Sequence, residues 1–178
     1  AGAITTLISG PVALSTPERV ARIDVVSAEQ MHAAALAQLG YCDIFIGCAA
    51  VADYRPRHTE SQKIKKNSDS MQLELVRNPD IISAIAGAAQ RPFTVGFAAE
   101  TNDVKAHATD KLHNKKLDMI VANDVSSSVG GFNSDQNAAT LLWREGSSHI
   151  ELMSKEQLAR MLIKAIAEQY RGYISQKK

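Results

Sequence analysis

Two hydrophobic rhythms alternate along this chain. The runs Asp43–Ala52 and Phe93–Ala99 are apolar with little polar alternation and predict strands covered on both faces, and Ile4–Ser9 and Leu117–Asp124 read as further strands. Arg22–Ser27 reads as a further short strand, and Met71–Val76 alternates enough to be a strand with one more polar face. Helical segments fall between them. Ser27 followed by Gln30 predicts a helix start, and Ala28–Leu39 continues it to a stop at Gly40. Pro79 is suited to the first turn of a helix over Pro79–Gln90, and Asp103–Lys116 forms another. Late in the chain, Ala139–Glu145 and His149–Met153 predict an antiparallel pair. Ser154 and Gln157 then open a helix with Leu158, Met161, Leu162, Ala165 and Ile166 on one face.

This order implies an α/β fold: a Rossmann-like, mostly parallel sheet flanked by helices, with a late antiparallel hairpin. At 178 residues, without repeat or linker, the chain fits one domain spanning 1–178. A formal net charge of +1 gives no global reason to expect a nucleic-acid or membrane partner, so an anion site has to be local. Cys42 and Cys48 lack metal or C-x-x-C spacing and read as reduced thiols of a cytoplasmic protein, Cys48 as an inert packed one. The five histidines show no zinc pattern, and no glycine fingerprint for a dinucleotide follows any strand.

In parallel sheets ligands gather beyond the carboxyl ends of the strands. Three such ends carry unusual residues: Gly47-Cys48-Ala49-Ala50 running to Asp53, Gly96-Phe97 leading to Glu100, and Asn123-Asp124. Arg55, Arg57, Lys63, Lys65 and Lys66 follow the first of them, with only Asp53 and Glu60 as nearby acids and Asn67 beside them. Lysines on such a loop suit phosphates, each acting as a point charge. Lys111 and Lys115, on one helix face, extend the same field. Free N–H groups at the helix start near Pro79-Asp80 offer a second anion holder. A polyphosphate ligand fits this arrangement.

The segments GCAAVADYRP, KIKKN, NPDII, GFAAET and ANDVS…GFNSDQN, in that order, resemble phosphopantothenoylcysteine synthetase (phosphopantothenate–cysteine ligase) of the bacterial, CTP-using kind. The resemblance covers essentially the whole chain. It implies that 4′-phosphopantothenate and CTP form an acyl-cytidylate, and that L-cysteine then displaces CMP. It also implies contacts to CTP from the backbone of Gly47, Cys48 and Ala49, from Asp53 and Lys63, and from the turn Pro79-Asp80-Ile81-Ile82, with Phe97, Lys111 and Lys115 completing the pocket. Asp53 and Lys63 carry the catalytic assignment, with magnesium (Mg2+) held mainly by phosphates and water.

The family's domain is usually fused to a flavin-dependent decarboxylase and pairs as a homodimer. Relative to that family, this chain begins after a first strand, a Ser-Gly-x-Met-Gly loop and a helix. Those elements carry an asparagine of the acyl-cytidylate step and one strand of the sheet, so residues 1–178 are expected to hold most of the CTP site without full activity. Two other readings remain open at this point: a nucleotide-binding or dimerisation module without activity of its own, and a dinucleotide-dependent oxidoreductase.

Overall fold

Strands β6 (Phe93–Glu100) and β7 (Met119–Asp124) lie inside a five-stranded sheet, where their uninterrupted apolar sequence requires them to be. The computed structural model describes residues 2–65, 69–100, 103–124 and 134–176. Within it the sheet order is β3-β6-β7-β8-β9, with β3 at Ile44–Gly47, β8 at Gln136–Trp143 and β9 at Gly146–Ser154. The first three strands are parallel, and the last two are the late antiparallel hairpin.

Both faces of the sheet are covered. On one, α4 (Lys155–Gln176) lays Leu158, Leu162 and Ile166 against Phe93, Val95, Met119, Val121 and Leu141. On the other, α2 (Ile81–Ala86) and α3 (Val104–Asn114) set Ala86, Ala108 and Leu112 against Ala98, Ile120, Ala122 and Leu142. Successive residues of β6 and β7 therefore serve opposite cores, as the period of two demands. Met161 departs from its expected place and is 45% exposed. It precedes Leu162 by one residue, about 100° round the helix from the middle of the buried stripe.

The amino-terminal strands β1 (Thr5–Ser9) and β2 (Val20–Asp24) make a separate two-stranded parallel sheet. Helix α1 (Ala28–Ala37) starts as its sequence predicts: Ser27 Oγ accepts from the Gln30 N–H at 3.1 Å, and Gln30 Oε1 accepts from the Val26 N–H at 2.8 Å. The helix then leads into β3, which is shorter and less buried than expected. Only Ile44–Gly47 pair, all with β6, and Ile46 is exposed. A strand is buried only as far as neighbours accompany it, and among the described residues nothing pairs with the outer edge of β3.

Past β3 the chain forms an unforeseen antiparallel ribbon, β4 (Tyr54–Pro56) with β5 (Leu75–Arg77). The strand expected over Met71–Val76 thus pairs only from Leu75 onward. Asn78 ties the base of the ribbon, its N–H donating to Asp53 O and its Nδ2 to Ala52 O, each at 2.8 Å. Asp80, not Pro79, is the residue that caps α2, and the helix ends after six residues at Gly87.

Gly47 and Gly96 face each other in register on β3 and β6. A Cβ at Gly47 would meet Ile82 Cδ1 at 3.0 Å, and one at Gly96 would meet it at 3.1 Å and Leu117 Cδ1 at 2.7 Å. The missing side chains let the start of α2 lie directly on the strands. Gly96→Ala is expected to destabilise the fold by about 1–3 kcal/mol, since buried Leu117 has to shift. Gly10→Ala, where nothing lies within 4 Å, should be near neutral. Ser27→Ala should cost about 1 kcal/mol through the lost cap of α1. Urea unfolding of these variants measures all three, and equal midpoints for Gly96→Ala and Gly10→Ala would contradict the packing role.

Candidate functional site

The carboxyl ends of β3, β6 and β7 lie side by side, so the three sequence positions singled out at strand ends share one edge. Gly96 itself is not terminal: it lies mid-strand opposite Gly47, as part of the floor beneath α2. Beyond Gly47 the chain leaves the sheet, and Cys48, Ala49 and Ala50 are exposed. Cys48 is therefore not the packed thiol expected of a mid-strand position, because pairing stops one residue before it. Cys42 is half-buried. Burial first, and the charge of Asp43 second, push its thiol pKa up, so it stays protonated at neutral pH.

The basic segment is less unbalanced than it reads in one dimension. Arg55 pairs with Glu29 of α1 at 2.7 Å and also donates to Arg77 O, while Arg57 pairs with Glu74 at 2.8 Å. Both arginines thus build the ribbon, and Arg55 ties it to α1. Lys63 and Lys65 are exposed and have no acidic partner among the described residues; Lys66 and Asn67 lie outside those residues.

The helix start at Asp80 also differs from expectation. One of the N–H groups read as an anion holder is taken up, because Asp80 Oδ1 accepts from the Ser83 N–H at 3.1 Å. The other carboxylate oxygen, Oδ2, is 2.8 Å from Lys115 Nζ. Partial burial pushes the Asp80 carboxyl up, but the hydrogen bonds from Lys115 and Ser83 outweigh it and hold the pKa below the usual carboxylate value.

Several expected site residues are therefore gathered together. Ile82 rests on Gly47 and Gly96, Asp80 meets Lys115, and the Lys115 N–H donates to Lys111 O one turn back. Pro79 and Ile81 flank the same cap. Asp53 is exposed, and its carbonyl accepts from Asn78, next to Pro79. Phe97 stands apart, on the opposite face of β6 from Gly96 and packed against the α4 core. Lys63 lies on the loop beyond the ribbon. The side chains of Glu100 and Asp124, and most of the glycine- and serine-rich segment after β7, lie outside the described residues.

Asn78, quoted within NPDII but given no role, and Glu29 were not foreseen as structural ties. The Asn-Pro pair is a turn signal that marks the first. Glu29 is far from Arg55 in the chain and has no local signal at all. Two surface depressions, of about 600 and 240 Å3, run along α3, and none of the strand-end residues lines either. Among the described residues no group of three His, Cys, Asp or Glu side chains could cage a metal ion, and no helix is long and apolar enough to cross a membrane.

Comparison with known proteins gives this geometry a family. Residues 1–170 match the model of the DNA/pantothenate metabolism flavoprotein C-terminal domain. The chain is 53% identical over 171 residues to the coenzyme A biosynthesis bifunctional protein CoaBC of Vibrio cholerae, covering 94% of this chain and 43% of that protein. It is 47% identical over 173 residues to the protein of the same name from Escherichia coli, covering 95% and 43%. The chain thus spans less than half the length of these relatives. Among solved structures, the C-terminal domain of a CoaBC protein superposes with a TM-score of 0.79 at 33% identity, covering 96% of this chain and 76% of that one. With residues 1–170 matched and the fold shared, the chain belongs to the DNA/pantothenate metabolism flavoprotein C-terminal domain family.

Proposed function

We propose that this chain is the CTP-dependent phosphopantothenate–cysteine ligase part of a coenzyme A biosynthesis protein. The observation that carries the reading is a pair of exposed lysines, Lys63 and Lys65, without acidic partners among the described residues and on a loop that leaves the Gly47 strand end. The names and similarity of the relatives support it.

In the first step a carboxylate oxygen of 4′-phosphopantothenate bonds to the α-phosphorus of CTP while the bond to the bridging oxygen breaks. Negative charge then collects on the departing pyrophosphate. Lys63, as catalytic residue, meets that charge, with Lys65 adding to the field. The backbone at Gly47, Cys48 and Ala49 lies along the nucleotide, with no side chain at Gly47 to hold it off. The turn Pro79-Asp80-Ile81-Ile82, Lys111 and Lys115 border the triphosphate, and Asp53 faces it from the base of the ribbon. Phe97 supports the pocket from behind β6. In the second step the amine of L-cysteine attacks the acyl carbon, CMP leaves, and the amine proton is lost.

Magnesium (Mg2+) would be held mainly by triphosphate oxygens and water, with the exposed carboxylate of Asp53 as the protein group that would border it. When bound, the ion neutralises phosphate charge.

The same reading extends to partners and place. One more strand, from another part of the protein, would pair with the open edge of β3. Residues 1–178 then form a single domain that needs that strand for full activity. Met71, Leu73 and Leu75, alternate residues entering β5, are 64%, 61% and 54% exposed and suit a homodimer contact. A flavin-dependent decarboxylase occupies the remainder of the protein, and the whole works in the cytoplasm.

Lys63→Gln in the intact protein should lower turnover on the order of 10²- to 10³-fold, read as pyrophosphate release with all three substrates. An unchanged rate would remove Lys63 from the chemistry. Calorimetric titration of the intact protein should show CTP with magnesium binding well ahead of ATP. Equal binding of the two, or binding of neither, would count against the nucleotide assignment. Leu73→Asp should shift a dimer toward monomer in light scattering, and an unaltered mass would place the interface elsewhere.

A further inference from the structure

We propose that Asp80 is a positioning residue for Lys115, and that its carboxylate holds the ammonium group ready at the triphosphate side of the site. The inference rests on the proposed CTP site and assigns Asp80 a role in it other than contact with the nucleotide.

The two oxygens of Asp80 have separate tasks. Oδ1 is anchored by the Ser83 N–H at 3.1 Å, which sets the carboxylate plane relative to α2. Oδ2 is thereby aimed at Lys115 Nζ, 2.8 Å away. The carboxylate is thus held by the helix at one oxygen and by the lysine at the other. Helix α2 is itself located, because Ile82 sits on the bare backbone of Gly47 and Gly96.

Lys115 is equally well placed at its other end. It follows the last residue of α3, its N–H donates to Lys111 O, and Leu117 two residues later is buried against Gly96. Only the side chain remains to be ordered, and it is 28% exposed. A free lysine loses much rotamer freedom when it engages an anion. Held by Asp80, Lys115 has lost that freedom before ligand arrives. An ammonium group has three N–H donors, so one bond to Asp80 leaves two for phosphate oxygens.

A carboxylate cannot accept from a phosphate oxygen and repels it, so any benefit Asp80 gives to nucleotide binding passes through Lys115. The lowered pKa of Asp80 agrees with this contact. A carboxyl whose folded pKa is depressed keeps its partner above the ordinary carboxylate range and loses it as pH falls through the lowered value. The pair is therefore intact at neutral pH.

The test uses Asp80→Asn, Asp80→Ser, Lys115→Gln and the double variant Asp80→Asn/Lys115→Gln in the intact protein. Asparagine and serine both cap helices well, so α2 is retained while the ion pair is lost. Calorimetry with CTP and magnesium should show each Asp80 variant binding about three- to tenfold more weakly, as expected for one partly exposed charge contact. The Michaelis constant for CTP should rise in step while kcat stays within about twofold. Lys115→Gln should weaken binding at least as much, and the double variant should bind no worse than Lys115→Gln. Independently of nucleotide, the Asp80 carboxyl signal in a carbon NMR titration should move to higher pH in Lys115→Gln.

If Lys115→Gln weakens binding but the Asp80 variants do not, the positioning role is overturned. Losses that multiply in the double variant also overturn it, and make Asp80 a direct partner of the ligand or its metal. If Lys115→Gln leaves CTP binding intact, the assignment of Lys115 to the triphosphate fails and the positioning role fails with it. An NMR shift in that case marks the ion pair as serving stability alone.

Discussion

The absence of two side chains governs this molecule. Gly47 and Gly96 face each other on neighbouring strands, and Ile82 fills the space their Cβ atoms would occupy. Through that contact α2 is drawn onto the sheet, its cap residue Asp80 comes within reach of α3, and the strand end at Cys48 stays open. Packing at this density leaves no room for a methyl group without displacing buried Leu117. The placement of the site thus depends on a van der Waals contact, and its charges are arranged around that contact.

The charges themselves are mostly committed. Arg55 and Arg57 hold the ribbon, and Lys115 leans on Asp80. A positive site built only of unpaired groups would repel itself and recruit counterions. Pairing the inner charges and leaving Lys63 and Lys65 on the outer loop gives a site that is structured at its base and electropositive at its rim. That division suits a reaction in which a highly charged ligand arrives and a charged product has to leave.

The parallel sheet, the late hairpin and the α4 stripe through Leu158, Leu162 and Ile166 were legible because each rests on a local period. The start of α1 was legible for the same reason, as a Ser–Gln spacing with one geometric solution. The ribbon was not. Tyr54–Pro56 is too short to show alternation, and its pairing with Leu75–Arg77 is a long-range event. The extent of β3 was misjudged since apolar sequence records a capacity for burial, whereas burial itself needs a neighbour. Composition and resemblance pointed to residues near Gly47 and Asp80, which the structure brings close together. The Arg55–Glu29 pair, the capped start of α2 and the separation of Phe97 onto the other face depend on tertiary placement that no local pattern encodes.

The outer edge of β3, unpaired among the described residues, has a consequence for how the protein is made. Ile44, Phe45 and Ile46 present backbone N–H and C=O groups beside apolar side chains, which is a template for pairing with any extended chain. During synthesis that edge forms as soon as β6 emerges to support it. Until it is covered, crowding of nascent chains favours edge-to-edge association over correct assembly. The rate at which such an edge is covered therefore bears on the yield of folded domain as much as its final stability does.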